Sequence, residues 1–181
     1  MNKKELRNHI KILGRNYTIE DLNVKSKQIF KNVEKELCFT ESKVVMLFWS
    51  MADEVNTHEF IQKWHTQKTI LLPVIQNDIL EIKKFTGIEN MFMESRFGIF
   101  QPAGDTYENL HEIDLIIVPG QAFDYQKNRI GRGKGYYDKL LERNNFTKAG
   151  ICFDFQIVDK VPTENFDIKM DLVISEEVVI K

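Results

Sequence analysis

Val118 to Leu141 reads VPGQAFDYQKNRIGRGKGYYDKLL, and its second half places glycines at every other position, Gly131, Gly133 and Gly135, around Arg132 and Lys134. Alternate glycines let the backbone take φ > 0 and come close to a ligand while their N–H groups stay free to donate. Arg129, Arg132 and Lys134 give the loop three cations, a composition suited to an oligophosphate. The spacing GxGxG is not the dinucleotide GxGxxG, and no Ser or Thr follows Lys134 as a Walker A loop requires. Beyond the loop, Tyr136 to Arg143 has Tyr137, Leu140 and Leu141 at helical spacing, so a helix N-terminus with unpaired N–H groups would face it. Ahead of it, Asp114 to Val118 (DLIIV) is a short apolar run ending in Pro119-Gly120, the mark of a buried strand. Strand, glycine-rich loop and helix in that order predict a ligand held at the carboxyl end of an open α/β sheet. A flexible basic surface loop is the plainer alternative.

Outward from this unit, the same two periodicities repeat. Lys43 to Trp49 (KVVMLFW) is apolar throughout and of strand length, as for a central strand covered on both sides. Thr69 to Ile75 predicts another strand with Pro73 near its exit. Ile79 to Phe85 alternates like a half-exposed strand, and Asn77-Asp78 between them fits a hairpin turn. Lys148 to Phe153 and Leu172 to Ser175 complete the set. Leu6, Ile10 and Leu13 give a first helix ending at Gly14, and Thr18 with Asp21 caps a second whose stripe is Leu22, Ile29, Val33 and Leu37. Phe60, Ile61 and Trp64 anchor a third. Phe85 to Tyr107 reads as irregular, with Met91, Phe92, Met93, Phe97 and Phe100 serving either core or pocket. Helices alternating with short strands predict one α/β domain over 1–181, a mainly parallel sheet between helical layers.

The 181 residues suffice for a packed core without staples, and 43% apolar with 29% charged residues fits a soluble globular protein. A net charge of −2 argues against a dedicated nucleic-acid binder. No apolar run has transmembrane length and Met1 to Arg15 is too polar for a signal peptide, so a cytoplasmic protein without a membrane partner is expected, most simply a monomer. Cys38 and Cys152 belong to no metal or disulfide pattern and are expected as packed thiols. His58 and His65 lack the HExxH spacing, which favours surface helix histidines over a metal site.

NRIGRGKGYYD, with VPGQAFD before it, resembles the signature of the 5-formyltetrahydrofolate cyclo-ligase family, also called 5,10-methenyltetrahydrofolate synthetases. The similarity runs from Lys3 to Asp171. It implies a three-layer α/β/α fold and an ATP- and Mg²⁺-dependent conversion of 5-formyltetrahydrofolate to 5,10-methenyltetrahydrofolate, with ADP and phosphate released. KKELR matches the family's amino-terminal basic run, which implies that Lys3, Lys4 and Arg7 reach ATP together with Arg129, Gly131, Arg132, Gly133, Lys134, Gly135, Tyr136 and Tyr137. Arg132 and Lys134 would stabilise charge on the transferring phosphoryl. Glu54 matches the family's folate-contacting Glu, with Trp49, Met51 and Tyr136 lining the same pocket. FDIKMDLVIS matches the closing motif, which implies that Asp167 and Asp138 share magnesium.

On pattern alone several of these positions stay open. Lys3 and Arg7 are also what a solvated basic face would carry, and Asp167 and Asp171 what a turn would carry. Asp53, Glu54 or Asn56 could cap the helix after SMADEVNT; with Glu54 given to the pterin, Asp53 or Asn56 takes the cap. Two rival functions follow. Tyr125, Tyr136 and Tyr137 among Lys127, Arg129, Arg132, Lys134 and Lys139 could bind single-stranded RNA. A related sheet could act on a phosphosugar or acyl-CoA, but Glu54 is the only rim acid that suits a general base.

Overall fold

The computed structural model describes residues 1–76, 79–94, 98–142 and 146–181. Helix α1 (Lys3–Gly14) opens at Asn2, whose side chain accepts the Lys4 and Glu5 N–H groups while Glu5 accepts from the Asn2 N–H. Helix α2 (Ile19–Val33) opens in the same reciprocal way at Thr18 and Asp21, as the spacing predicts. Such a cap contributes about 1 kcal/mol. The chain then turns through Lys35 and Glu36, so Leu37 falls off the expected stripe and is 71% exposed. Phe39, in the short helix α3 (Leu37–Thr40), takes the buried place instead.

Strand β1 (Val44–Met46) is shorter than its apolar run. Its ladder to both neighbours ends at Met46, and the chain leaves the sheet to carry Phe48 and Trp49 to the rim. Helix α4 (His58–Trp64) leads into β2 (Thr69–Gln76) and β3 (Ile79–Lys84), an antiparallel pair as the hairpin pattern predicts. The turn residues 77–78 lie outside the described set. Pro73 sits past the three residues of β2 that pair with β1, where its missing donor is harmless. The segment expected to be irregular instead forms the hairpin β4 (Met91–Glu94) and β5 (Ile99–Pro102). Both strands place large apolar groups outward, Phe92, Met93 and Phe100 among them, which erases the alternation that marks a strand. Phe97 lies outside the described residues.

The chain continues through β6 (Leu115–Pro119), β7 (Ala122–Asp124), β8 (Arg129–Ile130), α5 (Tyr136–Glu142), β9 (Thr147–Ile151), β10 (Ile157–Val158), β11 (Leu172–Ile174) and β12 (Val179–Ile180). The seven-stranded sheet runs β12-β11-β9-β6-β1-β2-β3, parallel except at its two edges. Alternate residues serve alternate faces. Val45, Leu47, Ile70, Leu72, Leu115 and Ile117 pack against α2, α3 and α4. Met46, Leu71, Ile116 and Val118 pack against Phe123, Leu141 and Phe146 on the other face. That second layer combines α5 with the small sheet β10-β7-β8, and α1 seals the small sheet through Leu6 and Ile10 on Ala122 and Ile130. Among the described residues no helix is long and apolar enough to cross a membrane.

Candidate active site

The glycine-rich stretch is a built structure from its first residues. Asp124 is 1% exposed, and its carboxylate accepts the N–H groups of Gln126, Asn128 and Val161 and the Asn128 amide, all at 2.9 Å. Four bonds to one buried carboxylate fix the β7–β8 turn, with Lys127 held at φ 64°. That turn delivers Arg129, whose side chain is 4% exposed and whose Nη2 donates to Asp138 Oδ1 at 2.8 Å. A Cβ at position 131 would lie 2.6 Å from Arg129 Nη1, so glycine there makes room for the guanidinium. Gly133 and Gly135 take φ of 104° and 69°, the left-handed values the motif predicts.

Helix α1 brings two cations to this loop. Arg7 Nε donates to the Gly131 carbonyl at 2.8 Å, and Lys3 Nζ lies 2.6 Å from both Glu164 and Asp167. Lys4, on the neighbouring face, is exposed and does not line the cleft, because only every fourth residue of the run turns inward. Lys134 is exposed and has no hydrogen bond or ion pair with any described residue.

The opposite wall comes from the other strand ends. Trp49 stacks on His58 with ring centroids 3.9 Å apart. His58 Nε2 donates to the Ser50 carbonyl at 3.1 Å, and burial lowers the imidazole pKa against that bond. His58 is thus a half-buried packing partner, and His65 lies edge-on to Phe85; neither is the surface histidine expected. Met51 donates its N–H to Glu54 at 2.9 Å. Asp53 caps no helix: it pairs with Arg132 at 2.7 Å, and Asn56 covers the His58 N–H instead. Pro73, Ile75, Leu80, Ile99 and Phe100 complete an apolar surface. Gln101, 4% exposed, stands within that surface, and its amide has no hydrogen-bond partner among the described residues.

Both walls enclose one cleft of about 550 Å³, at the carboxyl ends of β1, β2 and β6. It is lined by every expected site residue but Lys4. Tyr137 lines it, its ring 5.9 Å from the Arg129 guanidinium carbon; its hydroxyl is buried without a partner among the described residues, and burial pushes its pKa up. A magnesium ion needs one or two carboxylates and takes its other ligands from phosphates and water. Asp138 and Asp167 fit that demand. Arg129 uses only Oδ1 of Asp138, and Lys3 and the Glu164 N–H use only Oδ2 of Asp167, so each carboxylate retains an oxygen without a hydrogen bond among the described residues. No cluster of three or more metal-ligating side chains occurs among the described residues, so the phosphates would have to complete the set.

The sequence matches the 5-formyltetrahydrofolate cyclo-ligase family over residues 1–176. The chain belongs to that family. The mouse 5-formyltetrahydrofolate cyclo-ligase is 31% identical over 97% of this chain and 94% of its own. The NMR structure of Aquifex aeolicus 5,10-methenyltetrahydrofolate synthetase has a TM-score of 0.88 at 30% identity, covering 99% of this chain and 92% of that one. A 5,10-methenyltetrahydrofolate synthetase from Mycoplasma pneumoniae, 22% identical, shares the fold with a TM-score of 0.76 over 97% and 99% of the two chains. Cyclo-ligases are enzymes, and membership makes this chain a ligase of folate metabolism.

Glu164, Phe166 and Asp124 have no site role in the sequence reading, whereas Gln101, with Pro102, closes a segment like one in the family. Glu164 and Phe166 enter beside Lys3, Gln101 is buried in the apolar wall, and Asp124 fixes the turn behind the loop without lining the cleft. Asp124 was within reach, since an Asp opening a polar stretch commonly accepts the N–H two residues on, as it does here from Gln126. Glu164 carries no sequence signal.

Proposed function

We propose that this cyclo-ligase family member converts 5-formyltetrahydrofolate to 5,10-methenyltetrahydrofolate at the expense of ATP, releasing ADP and phosphate. The observation that carries it is the joining of a cationic glycine loop and an apolar wall with a single acid, Glu54, in one cleft. A formyl group on nitrogen is amide-like, so its carbon is a poor electrophile and its oxygen a poor leaving group. Transfer of the γ-phosphoryl to that oxygen turns it into a phosphate ester. N10 then attacks the formyl carbon and loses its proton, phosphate departs with the C–O bond, and the five-membered ring closes.

The protein's part is position and charge. Lys134, without a partner among the described residues, is free to follow the transferring phosphoryl, and Arg132 approaches from the adjacent turn. A cation aimed at developing charge contributes several kcal/mol, on the order of hundreds-fold in rate. Lys3, Arg7 and Arg129 hold the remaining phosphates. Magnesium shared by Asp138, Asp167 and the phosphates would neutralise part of their charge. Glu54 accepts from the pterin's amino and ring N–H groups, and the aromatic and aliphatic wall takes the rings.

The test is absorbance in the methenyl-folate band with purified protein, 5-formyltetrahydrofolate and magnesium, with and without ATP. The expected result is a rise that needs ATP and matches ADP formed mole for mole. A rise without ATP, or none from folded protein, would refute the reaction.

A further inference from the structure

The cleft supplies its own counter-ions, and one of these pairs joins the two walls. Arg132 donates from Nε and Nη2 to Glu54 Oε1, each at 3.1 Å, and from Nη2 to Asp53 Oδ1 at 2.7 Å. The two acids differ in solvation. The Glu54 side chain is 12% exposed and that of Asp53 63%. The second Glu54 oxygen is occupied by the Met51 N–H, so Arg132 is the one cation that Glu54 touches among the described residues.

We propose that nucleotide and folate bind with positive coupling because they exchange partners at Glu54, an inference that rests on the reaction proposed above. The phosphates draw Arg132 toward the glycine loop. A carboxylate so far withdrawn from water is then left without its cation, which is strongly unfavourable. The N–H edge of a pterin restores the lost donors, so each ligand removes a penalty that the other meets alone. Coupling between two binding sites is reciprocal, so the same factor applies whichever ligand arrives first. Asp53 acts differently. Water solvates it once Arg132 leaves, so it is a positioning residue that strengthens the hold on Arg132 without linking the two ligands.

The experiment is calorimetric titration of the full chain with 5-formyltetrahydrofolate and magnesium, alone and saturated with a β,γ-imido analogue of ATP. Folate should bind at least about fivefold tighter with the analogue present, the lower end of ordinary site-to-site coupling. Equal folate affinities with the analogue demonstrably bound would overturn the coupling and leave the reaction standing. A wild-type chain that binds no analogue would overturn both. Glu54→Gln should bring the coupling factor to about one and let the analogue alone bind roughly two- to fivefold tighter, since a neutral amide holds Arg132 less firmly. The second readout needs no folate binding by the variant, and weaker analogue binding there would overturn the inference. Asp53→Asn should tighten analogue binding by a similar factor while the coupling persists.

Discussion

The two walls of the cleft are built by opposite means. The charged wall is largely one stretch of chain, and its cations already have partners: Arg129 with Asp138, Arg132 with Asp53 and Glu54, Lys3 with Glu164 and Asp167, Arg7 with the Gly131 carbonyl. Lys134 alone of the loop cations has none among the described residues. The facing wall gathers Trp49, Pro73, Ile75, Leu80 and Phe100 from four separate segments, and its anchors Trp49 and Leu80 are held by packing against the two core clusters rather than by ion pairs. A side chain on the first wall can therefore be essential to chemistry and irrelevant to folding. On the second wall, binding and stability are tied together.

Lys134→Ala is the sharpest way to break that contrast, and the largest effect is expected from it. Turnover at saturating ATP and folate should fall by roughly a hundredfold or more. The melting temperature should stay within about 1 °C, because an exposed side chain without partners contributes little to stability. Turnover within about threefold of the parent would remove Lys134 from the reaction. Next comes Glu54→Gln, which loses a charged acceptor facing the apolar wall. The KM for folate should rise about 10- to 100-fold, as for the loss of charge-assisted hydrogen bonds, while the KM for ATP does not rise. Equal rises in both would take Glu54 away from the pterin.

The same contrast decides what the sequence could reveal. The loop was legible because its physics is local: three glycines, three cations and the strand and helix around them lie within one window. The sheet was legible for a similar reason, since each strand's apolar run states its own burial. What escaped depends on distant partners. Nothing in Asp53 distinguishes a helix cap from a mate for Arg132, 79 positions away in the chain. His58 looked like a surface residue because its stacking on Trp49 follows from how α4 leans on the end of β1. The β4–β5 hairpin escaped because its outward residues are as apolar as its inward ones, so the alternation that identifies strands was absent.

A smaller effect is expected at Gly131, where the charged wall depends on packing after all. The methyl group of Gly131→Ala would stand 2.6 Å from Arg129 Nη1, and that guanidinium, 4% exposed and bound to Asp138, has little room to retreat. Stability should drop by about 1 kcal/mol, the usual scale for a local clash, and the KM for ATP should rise several-fold as Arg129 and Asp138 separate. Unchanged ATP kinetics would show that Arg129 supports the loop without holding phosphate.

The smallest effect belongs to the apolar wall and is read with pH. Burial lowers the His58 pKa below its ordinary 6.5, with the bond to the Ser50 carbonyl opposing the shift. In the window between the folded value and 6.5 the unfolded chain binds more protons than the native one, so stability rises with pH there. It is fully present above 6.5 and lost as the pH falls through that window. Asp21, whose carboxyl is lowered by the Thr18 hydroxyl and backbone, works below 3.8 and does not overlap. Melting temperatures measured between roughly pH 5 and pH 7 should therefore climb in the parent. His58→Phe keeps a ring against Trp49 and cannot be protonated, so its melting temperature should climb less steeply. An equal slope in both proteins would mean that His58 is hydrated in solution, and that the wall carrying Trp49 is looser than its packing implies.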